Sequence, residues 1–353
     1  MKIKVVSRRY FEERKGNSEL AELIEGRWCS LKLGVIAGSL LVAGGPVVVA
    51  NVCPVCLGRG VAVCGNDGTK GAVCGSDGER KAGTTMEIGL SDGEKMTFCW
   101  CPATTSAEWK KISGGKDWFE MGSQTNEYGR GSDEIRHRVK LTKGFWMAQT
   151  PVTQGQFSSV FGATFGKKEG DSRLPVTDIE WSAACAFCME VTRRYLADGR
   201  MFLPTEAQWE YAARSGDVGS GPVKDAVHEY ACCLDGGETS GKQPVKSKKP
   251  SAWGLYDMLG NVWEWCVDCR SPYGEGLLVD PEGEQGYIHF AMRGGSFRSP
   301  GWKCRYANRG GSSWFESCEV TGFRPIIVPV EKQGLRSVAR VLTSNESVEL
   351  CCG

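Results

Sequence analysis

Hydrophobic and polar positions alternate over short stretches of this chain, with glycines between them, and one run breaks the pattern. Residues 33–52 form twenty consecutive uncharged, mostly apolar positions, with Arg27 and Lys32 before them. A helix of that length spans a bilayer, although Gly44-Gly45-Pro46 would kink or break it. Three readings stay open: a membrane anchor, a secretory signal ending at a lipid-modified Cys53, or a buried glycine-rich segment of a soluble protein.

Further along, the pattern predicts conventional elements. Thr205 can cap a helix whose first turn carries Glu206, and Trp209, Ala212 and Ala213 supply an apolar stripe at helical spacing. Gly260-Asn261 marks a turn. After it, Val262, Glu264 and Cys266 alternate with Trp263 and Trp265, the pattern of a strand buried on at least one face. A strand is also predicted just after His137, which points to a structural role for that histidine.

Composition narrows the class. The chain has 353 residues, and its 43 basic and 42 acidic side chains leave no electrostatic reason to expect a nucleic-acid partner. Forty-seven glycines with many aromatics and few long periodic segments fit an α+β fold with irregular connections. The 17 cysteines are an odd number, so a disulfide framework would leave one unpaired. Most read as buried small residues or free thiols in a reducing setting.

The N-terminal third divides into a polar segment, 1–32, the apolar run, 33–52, and a Cys/Gly-rich connector, 53–83. Cys53-Pro-Val-Cys56-Leu-Gly-Arg-Gly resembles one unit of a DnaJ-type zinc-binding region, and Cys53, Cys56, Cys64 and Cys74 together offer four thiolates for one zinc. A disulfide or free-thiol role and a disordered remnant are the alternatives. Two near-identical stretches, 62–68 and 72–78, repeat with a ten-residue period and suggest a flexible connector. A folded domain is expected over 84–330, followed by a tail, 331–353.

Five ordered blocks within 117–329 resemble the formylglycine-generating enzyme (sulfatase-modifying factor) family. They are Phe119-Glu-Met-Gly-Ser123, Phe145 to Phe157, Leu174 to Ser182, Arg200 to Arg214, and Gly254 to Trp265. The frame Arg293-Gly-Gly-Ser…Gly322-Phe-Arg324 closes the resemblance. The resemblance implies a C-type-lectin-like core, structural calcium, and two cysteines five positions apart that hold copper(I). Cys304 stands at the second of those positions, but Ser299 stands at the first. A hydroxyl is a hard ligand and does not replace a soft thiolate on copper(I). Cys318 is a distant second thiol, fourteen residues on. Three histidines, His137, His228 and His289, lie in unrelated contexts, and no GxSxG, P-loop or HExxH motif occurs. The expectation is therefore a protein that is not an enzyme, with an oxidase using Cys304 as the alternative.

The closing segment 293–324 also resembles the variable proteins of diversity-generating retroelements, the treponemal variable protein among them. That resemblance implies a cell-surface, membrane- or lipid-anchored receptor whose C-terminal face binds changing protein or glycan ligands on host or neighbouring cells. Its expected positions are Phe297, Arg298, Ser299, Gly301, Trp302, Gly310, Gly311, Ser313, Trp314, Phe315, Ser317, Glu319 and Thr321. Aromatic anchors among small adaptable residues suit such a surface. Phe, Arg, Ser, Gly and Thr are reachable when adenines of AAC or AAT codons are replaced, whereas Trp302, Trp314 and Glu319 need other adenine-containing codons or are fixed.

Overall fold

A computed structural model describes residues 80–330 apart from 163–169, 218, 220–226, 236–240, 285–286 and 314. The apolar run 33–52 and the cysteines at 53, 56, 64 and 74 lie outside the described residues, as do Trp314 and the tail.

The first element among the described residues is β1 (Thr85–Gly89), paired antiparallel with β2 (Lys95–Cys101). Helix α1 (Ala107–Ser113) and the short strands β3 (Phe119–Met121), β4 (His137–Lys140) and β5 (Phe145–Ala148) follow. Two helices, α2 (Gln154–Phe161) and α3 (Trp181–Tyr195), precede β6 (Gly199–Phe202) and α4 (Glu206–Arg214). The second half holds α5 (Val227–Tyr230), β7 (Ala231–Cys232), β8 (Leu259–Gly260), β9 (Trp263–Cys269), β10 (Leu277–Val279) and β11 (His289–Arg293). It closes with β12 (Arg309–Ser313), β13 (Thr321–Phe323) and β14 (Ile326–Pro329).

One sheet runs β1-β2-β5-β14-β6, so the end of the domain is threaded between strands from its beginning and middle. A second runs β12-β11-β9-β13 and carries the closing segment. This is the α+β, C-type-lectin-like architecture expected from the sequence. The predicted strand after Gly260-Asn261 is β9, and both its faces are covered: Glu264, Trp265 and Cys266 are all buried. Gly260 is required there, because at φ +77° a Cβ would stand 2.1 Å from the Cys232 carbonyl oxygen.

Helix α4 begins as predicted. Thr205 accepts from the Gln208 backbone N–H, and the Gln208 side chain returns the bond to the Thr205 N–H. Its acidic residues do more than complement the helix dipole. Glu206 and Glu210, four residues apart, both face inward. Arg309 Nε stands 2.7 Å from Glu206 Oε1, and Arg293 Nη2 stands 2.5 Å from Glu210 Oε2. Trp209 Nε1 donates to Glu264 Oε2 at 2.6 Å, and Arg324 Nη2 donates to Glu264 Oε1 at 2.8 Å. Arg293 and Arg324, the two ends of the sequence frame, are therefore wholly buried cations with carboxylate partners. Burial pushes Glu206 up, but Arg293 and Arg309 outweigh it and hold its carboxyl below the usual value.

Removing one member of a buried ion pair strands the other charge and costs about 3–5 kcal/mol. Arg324→Met is expected to lose that much in urea denaturation. Arg270→Ala, which breaks the half-exposed pair with Asp133 at 2.7 Å, is expected to lose no more than about 1 kcal/mol.

Asp268 gives a second test. Burial and the neighbouring Glu206 push it up to about 7, against about 3.9 in an unfolded chain. Between those values the folded state holds a proton that the unfolded state releases, so stability falls as pH rises from about 4 to 7, by about 1.4 kcal/mol per unit. Asp268→Asn retains an acceptor for the Glu206 N–H, now 2.7 Å from Asp268 Oδ2. It is expected to flatten that slope and raise stability at pH 8, measured by denaturation across pH. An unchanged slope would show that Asp268 does not carry it.

Candidate functional site

The closing segment folds as a turn and a hairpin laid over the buried ion pairs. After β11 the chain makes a tight turn through Gly294 and Gly295, both at positive φ. A Cβ on Gly295 would lie 3.0 Å from Cys304 Sγ and 3.5 Å from Ser299 Cβ. Ser299 and Cys304 thus converge on one glycine.

Their chemistry does not converge. Ser299 Oγ accepts from the Ser296 N–H at 3.1 Å and lies 3.3 Å from Ser296 Oγ, so its hydroxyl locks the turn. One thiol and one engaged hydroxyl do not fit copper(I). The thiol beside Cys304 comes instead from another loop: Cys233, whose thiol interacts with that of Cys304. That interaction holds the Cys233 thiol below its usual value, and the same contact, with burial, pushes Cys304 up. Cys318, the thiol considered from spacing, is exposed. His228, whose context in the sequence is uninformative, has Nδ1 at 3.5 Å from Cys233 Sγ.

Of the thirteen expected surface positions, all but Trp314 lie among the described residues, and these twelve are buried, half-buried or outward-facing. Phe297, Ser299, Gly301, Ser313 and Thr321 are buried, which corrects their expected exposure. Each is drawn in by the backbone. The Phe297 N–H donates to the Asn261 carbonyl, the Ser299 carbonyl accepts from Leu234, and Gly301 donates to Asp235 Oδ1 at 2.7 Å. Ser313 pairs with His289 and Thr321 with Trp263 in the sheet. Gly310 is half-buried over the Trp263 ring. Arg298, Trp302, Gly311, Phe315, Ser317 and Glu319 face outward.

The outward set is only loosely tied. Arg298 Nη1 meets Glu319 Oε1 at 2.6 Å, with both side chains more than half exposed. Trp302 is 41% exposed and stands edge-on to Tyr128, 72% exposed, with ring centroids 6.4 Å apart. Tyr128 was not legible as a face residue, because it lies in a loop 174 positions before Trp302. Arg305 brings the two together. Its guanidinium pairs with Glu134 and donates to the Gly129 carbonyl at 2.7 Å, while its Nε donates to the Trp302 carbonyl at 2.9 Å. A cleft of about 580 Å³ lies elsewhere, between Arg214, Tyr230, Lys249 and Tyr306, and neither Ser299 nor Cys304 lines it.

A C-type-lectin-like domain with a buried Arg–Glu frame and a loose outer face defines the class. Residues 102–328 match the sulfatase-modifying factor enzyme 1-like domain, and the chain belongs to that family. It is 34% identical over 175 residues to the formylglycine-generating enzyme of Streptomyces coelicolor, covering 44% of this chain and 53% of that one. It is 30% identical over 166 residues to the inactive C-alpha-formylglycine-generating enzyme 2 of Mus musculus, covering 42% and 49%. The chain thus spans about half the length of these curated relatives, and they include both an enzyme and a protein named inactive. Among solved structures, Treponema denticola variable protein 1 matches with a TM-score of 0.58 and 22% identity, covering 70% of this chain and 99% of that one. PvdO from Pseudomonas aeruginosa matches with a TM-score of 0.57 and 23% identity over the same shares. These two likenesses concern the fold.

Surface side chains whose ring contacts are a 5.5 Å approach, as Arg298 to Phe297, or an edge-on neighbour, as Trp302 to Tyr128, contribute little to stability. Arg298→Ala and Trp302→Ala are each expected to stay within about 0.5 kcal/mol of the parent in chemical denaturation. Larger losses would mean that the outer face is part of the frame.

Proposed function

We propose that this chain is a ligand-binding member of its family rather than an oxidase, and that its outer face, Arg298, Trp302, Gly311, Phe315, Ser317 and Glu319 with Tyr128 beside them, is the diversified surface. The observation that carries this reading is the separation of the closing segment: arginines of the frame point inward onto carboxylates, while Arg298, Trp302, Phe315 and Glu319 between them point outward. Exposed aromatics and arginine among small residues have the composition of a recognition surface. The ligands are proteins or glycans, and the run 33–52 tethers the chain to a membrane. Among the described residues no helix is long and apolar enough to cross a membrane. The buried positions Phe297, Ser299, Gly301, Ser313 and Thr321 set the shape of the turns instead of meeting the ligand.

The alternative, an oxidase using Cys304, has one supporting observation, the thiol of Cys233 beside it. Against it stand Ser299 at the first family position and the 2% exposure of Cys304.

Protein and glycan arrays probed with the parent and with Arg298→Ala/Trp302→Ala/Phe315→Ala together test the proposal. The triple variant is expected to keep its fold by circular dichroism and to lose at least tenfold in affinity for every ligand the parent binds. Incubation with copper(I) and a cysteine-containing sulfatase peptide is expected to yield no aldehyde, and conversion would contradict the binding reading. The retroelement origin predicts a near-copy of the 293–324 coding segment beside a reverse-transcriptase gene, with differences confined to template adenines.

A further inference from the structure

Beneath the outer face, three side chains that no functional reading of the sequence brought together meet at one point. His228 ends the first turn of α5, and Cys233 and Asp235 follow β7 directly. The donor atoms of His228, Cys233 and Asp235 all lie within 4.8 Å of one another, and His228 Nδ1 is 3.5 Å from Cys233 Sγ. Ligand atoms around a four-coordinate zinc, each roughly 2.0–2.3 Å from the ion, stand roughly 3.3–3.8 Å apart. The cluster therefore needs only small rotamer changes to close on an ion.

The adjoining thiol is Cys304, at the end of the turn Gly301–Lys303, which interacts with Cys233 but lies outside the 4.8 Å cluster, so it reaches the ion as fourth donor by a shift of its turn. The two loops are already joined by backbone: Leu234 N–H donates to the Ser299 carbonyl at 2.9 Å, and Gly301 N–H to Asp235 Oδ1 at 2.7 Å. His228 is half-buried and Asp235 exposed, while both cysteines are buried, so the cluster opens to solvent on one side and is shielded on the other.

We propose that Cys233, His228 and Asp235, with Cys304 as the fourth ligand, form a zinc site that pins the 227–235 loop to the turn carrying Arg298 and Trp302. The donor chemistry selects the metal. Two thiolates with an imidazole and a carboxylate suit a borderline tetrahedral cation, whereas copper(I) favours an all-soft set. The site differs from the family's pair: three of its ligands come from a loop outside the closing segment, and Ser299 takes no part. Binding releases the thiol protons to solvent and leaves both sulfurs coordinated as thiolates. Its role is structural, and it stands whether the outer face binds a diversified ligand or not.

Titration of the reduced full-length chain with cobalt(II) as a spectroscopic stand-in, followed by displacement with zinc, tests the site. Thiolate-to-cobalt absorbance is expected to appear and to be lost on zinc addition. Cys233→Ser is expected to bind one equivalent fewer than the parent, and Cys318→Ser the same number. His228→Ala changes only a half-buried side chain, keeps the fold, and is expected to weaken this equivalent at least tenfold. Zinc is expected to raise the thermal midpoint of the parent more than that of His228→Ala. Equal uptake by the parent, Cys233→Ser and His228→Ala would overturn the proposal, as would an equal zinc-induced shift in midpoint. Because the readouts are stoichiometry and stability, failure here leaves the array experiment on the outer face unaffected.

Discussion

The domain depends on a set of charges removed from water. Glu206, Glu210 and Glu264 are at most 4% exposed, and Arg293 and Arg324 are fully buried. A buried ion is costly unless its partner and hydrogen bonds are all in place, so these groups tolerate one arrangement of the chain. That arrangement fixes α4 against β9 and β11 and brings both ends of the closing segment to the same interior. Arg293 also donates to the Asn308 and Tyr306 carbonyls, and Arg324 to those of Ala148 and Tyr256. Each guanidinium thus satisfies carbonyls of irregular backbone, at Asn308, Tyr306 and Tyr256, and Arg324 also reaches the last residue of β5, Ala148. In a loop-rich fold, where sheets pair only part of the main chain, such cations replace strand partners.

The same arrangement explains how a face can change while the fold persists. Between the two frame arginines, side chains alternate between those that close turns from within and those that stand outside. Ser299 belongs to the first group because its hydroxyl bridges to Ser296. Trp302 belongs to the second, held through its backbone carbonyl by Arg305 and only edgewise by Tyr128. Position in the hydrogen-bond network, rather than residue type, decides which set a residue joins.

Much of the fold was legible in the sequence. Thr205 announced the start of α4, the Gly260-Asn261 turn announced β9, and the ordered blocks implied the lectin-like core that the family match supports. The burial of Glu206, Glu210 and Glu264 was not legible, since an acidic residue in a first turn or on a strand ordinarily faces water, and its cation lies 60 to 103 positions away. The face was half legible: composition marked the right loop but not which way each side chain turns, because in irregular backbone no fixed period relates sequence to face. The meeting of His228, Cys233 and Cys304 was hidden for a related reason. Two loops distant in sequence are joined there by backbone hydrogen bonds, which leave no trace in residue identity.

Frame and face are energetically separate. Replacing Arg298, Trp302, Phe315, Ser317 and Glu319 together, in a panel of unrelated combinations, and reading the thermal midpoint of each tests it most directly. The account predicts midpoints within about 4 °C of the parent, equivalent to roughly 1 kcal/mol or somewhat more for a domain of this size. A panel in which most combinations unfold cooperatively at much lower temperature would contradict it, and would place the outer residues within the frame itself.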